Sequence, residues 1–83
     1  MKKYISTVGL NAAVGNRLKL VRVAFTVSNT NVTARVENGY TLSPVKNLGK
    51  IVLTHDDFRN LPHDPYDDLV FTRAAFALFG LQV

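Results

Sequence analysis

Two neighbouring stretches of this chain alternate apolar and polar side chains so regularly that the backbone has little choice of conformation. Val21, Val23, Phe25 and Val27 recur at every second position, with Arg22, Ala24, Thr26 and Ser28 between them. A period of two puts one set on each face of a strand. The next run repeats the pattern: Val32, Ala34 and Val36 point one way, and Thr33, Arg35 and Glu37 the other. Between the runs lies Ser28-Asn29-Thr30-Asn31, four residues whose side chains hydrogen-bond local backbone groups and favour turns. Leu18–Ser28 and Val32–Glu37 therefore read as an antiparallel hairpin with one apolar face and one polar face.

The flanks extend the sheet. Lys2–Val8 has the β-branched content of a short strand, although its alternation is weak, and Asn11–Asn16 reads as a loop. Asn38-Gly39 matches a type I′ turn, with Tyr40-Thr41-Leu42 starting a returning strand. Ser43-Pro44 interrupts that strand, and Lys50–Leu53 resumes it at an edge, because proline cannot donate to the ladder. Helices follow. Thr54 caps a short one with Asp57 as its third residue, Leu53 and Phe58 in the staple positions and Leu61-Pro62 as its end. Asp64 is expected to cap a longer one, with Pro65 first, Asp67 and Asp68 in the first turn and Gly80 as the stop. The expected fold is α+β: an antiparallel sheet of three to four strands, then one short and one longer helix, in a single domain over residues 1–83.

From Leu69 to Phe79 only Thr72 and Arg73 are polar. A helix apolar nearly all round is either enclosed by its own fold or touches another chain. Phe71, Phe76 and Phe79 are thus candidates for an oligomer or partner contact. A competing reading makes Leu69–Phe71 or Leu81–Val83 a further strand, since short apolar runs do not separate the two.

Chemistry is sparse. The chain has no cysteine, hence no disulfide or thiolate metal site, which fits a reducing compartment. The stretch after Met1-Lys2-Lys3 is too polar for a signal core, and no apolar run is long enough to span a membrane. The cytoplasm is the expected location. His55-Asp56-Asp57 and His63-Asp64 combine imidazole and carboxylate, but at no metal-binding spacing. There is no nucleophile elbow and no glycine-rich phosphate loop. We expect no enzyme, no cofactor and no metal.

Charge is unevenly spread. Residues 1–50 hold Lys2, Lys3, Arg17, Lys19, Arg22, Arg35, Lys46 and Lys50 against Glu37 alone, whereas residues 51–83 hold Arg59 and Arg73 against five aspartates. The net charge is +4. Such asymmetry fits a nucleic-acid or acidic-protein partner. Arg17, Lys19, Arg22 and Arg35 with Tyr4 or Tyr40 would make a basic, stacking face on the hairpin, although no recognised nucleic-acid motif is present.

Lys3-Tyr4-Ile5-Ser6-Thr7 with Leu10-Asn11, and Ala34-Arg35-Val36-Glu37-Asn38 on the second hairpin strand, resemble segments of a small phage-encoded family of anti-CRISPR proteins, the type I-F inhibitors. The short capped helix ending in Leu61-Pro62 ahead of a longer one is similar too. The resemblance implies an α+β protein that binds the repeated backbone subunits of a host CRISPR surveillance complex and stops target DNA from pairing with the guide RNA. It implies Tyr4 and Glu37 as contact residues, an exposed aromatic anchor and a carboxylate for a basic groove. A second contact tyrosine of the family falls on Thr26 here, with Tyr40 a candidate substitute; Arg22 and Arg35 complete the expected face. The turn after Glu37 is shorter, the last helix more apolar and the net charge positive, unlike that inhibitor. Two other functions fit the residues: a viral capsid or tail accessory protein oligomerising through the apolar helix, and a small nucleic-acid-binding regulator.

Overall fold

The computed structural model describes residues 2–82. Its strands are β1 (Lys3–Ser6), β2 (Leu10–Val14), β3 (Arg17–Val27), β4 (Val32–Asn38) and β5 (Lys50–Leu53), followed by helices α1 (His55–Arg59) and α2 (Asp68–Leu78). All five strands form one antiparallel sheet in the order β1-β3-β4-β5, and β2 pairs with the other half of the β3 edge. The expected α+β architecture is therefore the observed one, with one strand more than the alternation signalled.

The hairpin β3–β4 is its centre. Register runs from Val21↔Asn38 to Val27↔Val32, so Val21, Val23, Phe25, Val32, Ala34 and Val36 share one face and are fully buried. The turn is closed by Ser28 N–H donating to the Asn31 carbonyl at 2.9 Å, with the Ser28 hydroxyl donating to the same oxygen at 3.1 Å.

The extra strand, β2, occupies the segment expected to be a loop. Gly15-Asn16 joins it to β3 as a two-residue turn, with Gly15 at φ 63 and Asn16 at negative φ, the sign pattern of a type II′ hairpin. Its link to β1 is a bulge. Ser6 pairs with Ala24 and Leu10 with Val21, so Thr7, Val8 and Gly9 stand opposite only Arg22 and Val23. That single extra residue shifts the period by one. Odd-numbered Ile5 and even-numbered Leu10, Ala12 and Val14 consequently all face the core. Thr7 closes the bulge: its N–H donates to the Val23 carbonyl at 3.0 Å, and its hydroxyl oxygen accepts from the buried Val23 N–H at 3.0 Å.

The turn after β4 also differs from expectation. Gly39 does not take a positive φ, so there is no type I′ turn. Instead the Asn38 side-chain oxygen accepts from the N–H groups of Tyr40 (2.8 Å) and Thr41 (3.1 Å), and its carbonyl from Leu42 at 2.9 Å. Tyr40 therefore starts no strand; pairing resumes only at an isolated Glu37↔Pro44 bridge and then at β5. Gly39 is needed for space, since a Cβ there would lie 2.8 Å from Leu20 Cγ.

Both helices lie on the apolar face. Thr54 caps α1 as expected, its hydroxyl accepting from Asp57 N–H at 3.0 Å. The second helix begins three residues later than expected. Asp67, not Asp64, caps it by accepting from Leu69 N–H at 3.0 Å, while Asp64 folds a turn by accepting from Tyr66 N–H at 2.8 Å. At the far end Gly80 (φ 68) sends its N–H to Ala77 O and Leu81 its own to Phe76 O, the paired bonds of a Schellman motif, with Leu81 and Phe76 both buried. Leu69–Phe71 is thus helix and Leu81–Gln82 is not strand; Val83 lies outside the described residues. Phe25, Phe58 and Phe71 meet with ring centroids 5.0 to 6.3 Å apart, joining β3, α1 and α2.

Thr7→Val keeps the volume but leaves the Val23 N–H without an acceptor in the core. Denaturant unfolding should show a loss of about 1–3 kcal/mol, largely restored in Thr7→Ser. Equal stability of all three proteins would contradict this role for the hydroxyl.

Candidate binding face on the open side of the sheet

Because α1 and α2 pack on the apolar face, the other face of the sheet carries its own side chains and, at one edge, the 44–49 segment. The register arranges them in rows. Tyr4 lies opposite Thr26, Thr26 opposite Thr33, and Thr33 opposite Val52; in the next row Ser6, Ala24, Arg35 and Lys50 follow one another across the strands, and Arg22 then faces Glu37. Ala24, Thr26 and Thr33 are small, and the larger Tyr4, Arg22, Arg35 and Lys50 stand around them. Two shallow hollows result. One of about 260 Å³ is lined by Tyr4, Ser6, Arg22, Ala24, Arg35 and Glu37 among others. The other, of about 410 Å³, is lined by Thr26, Thr33, Arg35, Lys46 and Lys50 among others. Thr26 and Arg35 belong to both.

Glu37 organises the charges. Its Oε1 accepts from Arg22 Nε at 3.1 Å and lies 3.1 Å from Nη2, and its Oε2 lies 4.0 Å from Arg35 Nε. The Glu37 side chain is only 13% exposed, against 48% for Arg35. The carboxylate expected to reach a partner is thus engaged within the fold, and what the face presents outward is positive. The other carboxylates belong to α1, to the start of α2 and to the segment between them.

The structure brings Tyr4, Arg22, Arg35 and Glu37 into one hollow. Tyr40 is not with them; it sits on the turn beyond β4, 81% exposed, and lines neither hollow. It therefore does not stand in for the aromatic side chain expected at Thr26. Sequence reasoning did not single out Lys46 and Lys50 for this face. Lys50 was within its reach, because it faces Arg35 once β5 is set in register; Lys46, on a single 3-10 turn over Lys46–Leu48, was not.

The three phenylalanines of α2 divide differently. Phe76 is fully buried in the core and has no surface for a partner. Phe71 is half-buried in the aromatic trio, and Phe79 is half-buried at the C-cap. The outward side of the helix shows Arg73 and Ala77.

The histidines serve local structure. His55 Nε2 lies 2.7 Å from the Ser28 carbonyl, tying α1 to the β3–β4 turn, and His63 Nδ1 lies 3.3 Å from the Leu61 carbonyl. Among the described residues no three His, Asp or Glu side chains converge in a way that could hold a metal ion, and no helix is long and apolar enough to cross a membrane.

Glu37→Ala should lower stability by roughly 1 kcal/mol, the usual worth of a partly exposed charge-assisted bond. Arg35→Ala should change it by less than about 0.5 kcal/mol. Paired denaturation curves check this; equal effects would contradict the assignment of Arg22 as the main partner of Glu37. No protein-family model matches this chain, and neither a curated protein nor a solved structure matches it.

Proposed function

We propose that this protein is a non-enzymatic inhibitor that docks the open face of its sheet on a host CRISPR surveillance complex and blocks recognition of target DNA. The observation that carries the reading is the meeting of Tyr4 with the Arg22–Glu37–Arg35 cluster on a face no helix covers. Tyr4 and Glu37 are the residues that the similarity to type I-F inhibitors singles out. Their physical character suits docking. Tyr4 is 72% exposed on a rigid strand, so it offers apolar area and a hydroxyl with little conformational entropy to lose. Charged groups around it give orientation and association rate more than raw affinity. Thr26, in place of a second aromatic side chain, leaves Tyr4 as the one large anchor of this hollow.

Assembly into a viral particle through α2 has less support, since Phe76 is enclosed and Phe71 is held between Phe25 and Phe58.

Immobilised surveillance complex and purified protein provide the test. Tyr4→Ala should unfold within about 0.5 kcal/mol of the parent, being a surface change. Its affinity should fall tenfold or more, equivalent to about 1.4 kcal/mol. Undiminished binding by both Tyr4→Ala and Arg22→Ala would remove this face from the interface. Failure of the parent protein to bind would remove the target.

A further inference from the structure

We propose that the larger hollow on the open face, bounded by Thr26, Thr33, Arg35, Lys46 and Lys50, takes the phosphodiester backbone of a single-stranded nucleic acid. This goes beyond the inhibitor reading and does not depend on which protein is bound.

Charge complementarity carries the argument. The hollow of about 410 Å³ has three cations on its lining and no carboxylate. Lys46 and Lys50 form no ion pair among the described residues, and Arg35 has only a 4.0 Å approach to a Glu37 already engaged by Arg22. Two threonine hydroxyls, Thr26 and Thr33, stand side by side on the floor as neutral donors. Cations round a hydroxyl-bearing floor match the oxygens of a phosphate chain. Tyr4, the anchor of the proposed protein contact, lines the smaller hollow and not this one.

The shape selects a single strand. From β1 to β5 the face is four strands wide, about 14 Å at the usual strand spacing. Among the described residues α1 and α2 pack on the opposite face, so neither rises from it to enter a duplex groove. Tyr4 stands in the same cross-strand row as Thr26 and Thr33, exposed at the far rim. An aromatic platform beside a positive trough binds unpaired bases and backbone together, with little sequence preference.

The test is fluorescence anisotropy of the whole protein with labelled single-stranded RNA and DNA of about ten nucleotides, at salt between about 50 and 200 mM. Lys46→Gln with Lys50→Gln should weaken binding tenfold or more and flatten the salt slope by about 1.4, at about 0.7 for each phosphate no longer neutralised. Arg17→Gln with Lys19→Gln removes the same charge from the β2–β3 end and should weaken binding less than about twofold. Tyr4→Ala should weaken it fivefold or more through the absence of stacking. Equal losses in the two double variants would mean general attraction by a basic protein and would overturn the site. So would absence of binding at low salt, equal binding of poly-glutamate with the same variant dependence, or displacement by inorganic phosphate at matched phosphate concentration.

Discussion

The pairing of β3 with β4 determines what either side of this molecule can be. In one register, from Val21↔Asn38 to Val27↔Val32, six buried side chains form one continuous apolar surface. The same register brings Arg22 to Glu37 and Ala24 to Arg35 on the reverse. A slip of one residue would exchange the faces of a whole strand. Core and candidate binding face are therefore two consequences of a single choice. It is held at one end by the Ser28–Asn31 turn, which His55 also grips, and at the other by the Asn38 side chain.

Asymmetry follows from size. With one sheet and with α1 and α2 packed on one side only, this chain leaves most of the second face of the sheet open. Both helices are drawn to the apolar side by the Phe25–Phe58–Phe71 trio and by Phe76. The bulge at Thr7 makes that side complete, because it lets β1 and β2 share one edge while Ile5, Leu10, Ala12 and Val14 all turn inward. The uneven charge along the chain then becomes uneven charge in space. Arg22, Arg35 and Lys50 come from strands and reach the open face, whereas the aspartates lie in α1, at the start of α2 and in the segment between, where Asp67 caps α2 and Asp64 closes a turn.

Much of this was legible in the sequence, and the failures have physical causes. The hairpin, the edge strand at Lys50–Leu53, the Thr54 cap and the Gly80 stop each rest on a strong local rule, and each is present. Strand β2 escaped because Asn11, Gly15 and Asn16 are turn formers and because the bulge breaks the two-residue period. Asn38-Gly39 misled because the turn is made by the asparagine side chain, not by backbone at positive φ. Asp64 and Asp67 are equally good caps by type, and only the Asp64–Tyr66 turn separates them. The co-facial placement of Arg22, Arg35 and Glu37 follows from parity and the hairpin register, and Tyr4 joins them through its pairing with Thr26. Lys46 had no such signal, since a 3-10 turn between Pro44 and β5 carries it to the hollow. The apolar run of α2 reads as interface or core alike; burial of Phe76 and Ala75 settles those two as core.

The proposed function places binding on the open face and not on the helical layer. The three tyrosines can report on it, since Tyr4 lies on the open face, Tyr40 on the turn beyond β4 and Tyr66 ahead of α2, all strongly exposed. Hydroxyl-radical footprinting of these side chains, in the free protein and in its complex with the surveillance assembly, compares the surfaces within one sample. Docking through the open face predicts that Tyr4 loses its reactivity on binding while Tyr66 keeps it. Protection of Tyr66 with Tyr4 left reactive would contradict it.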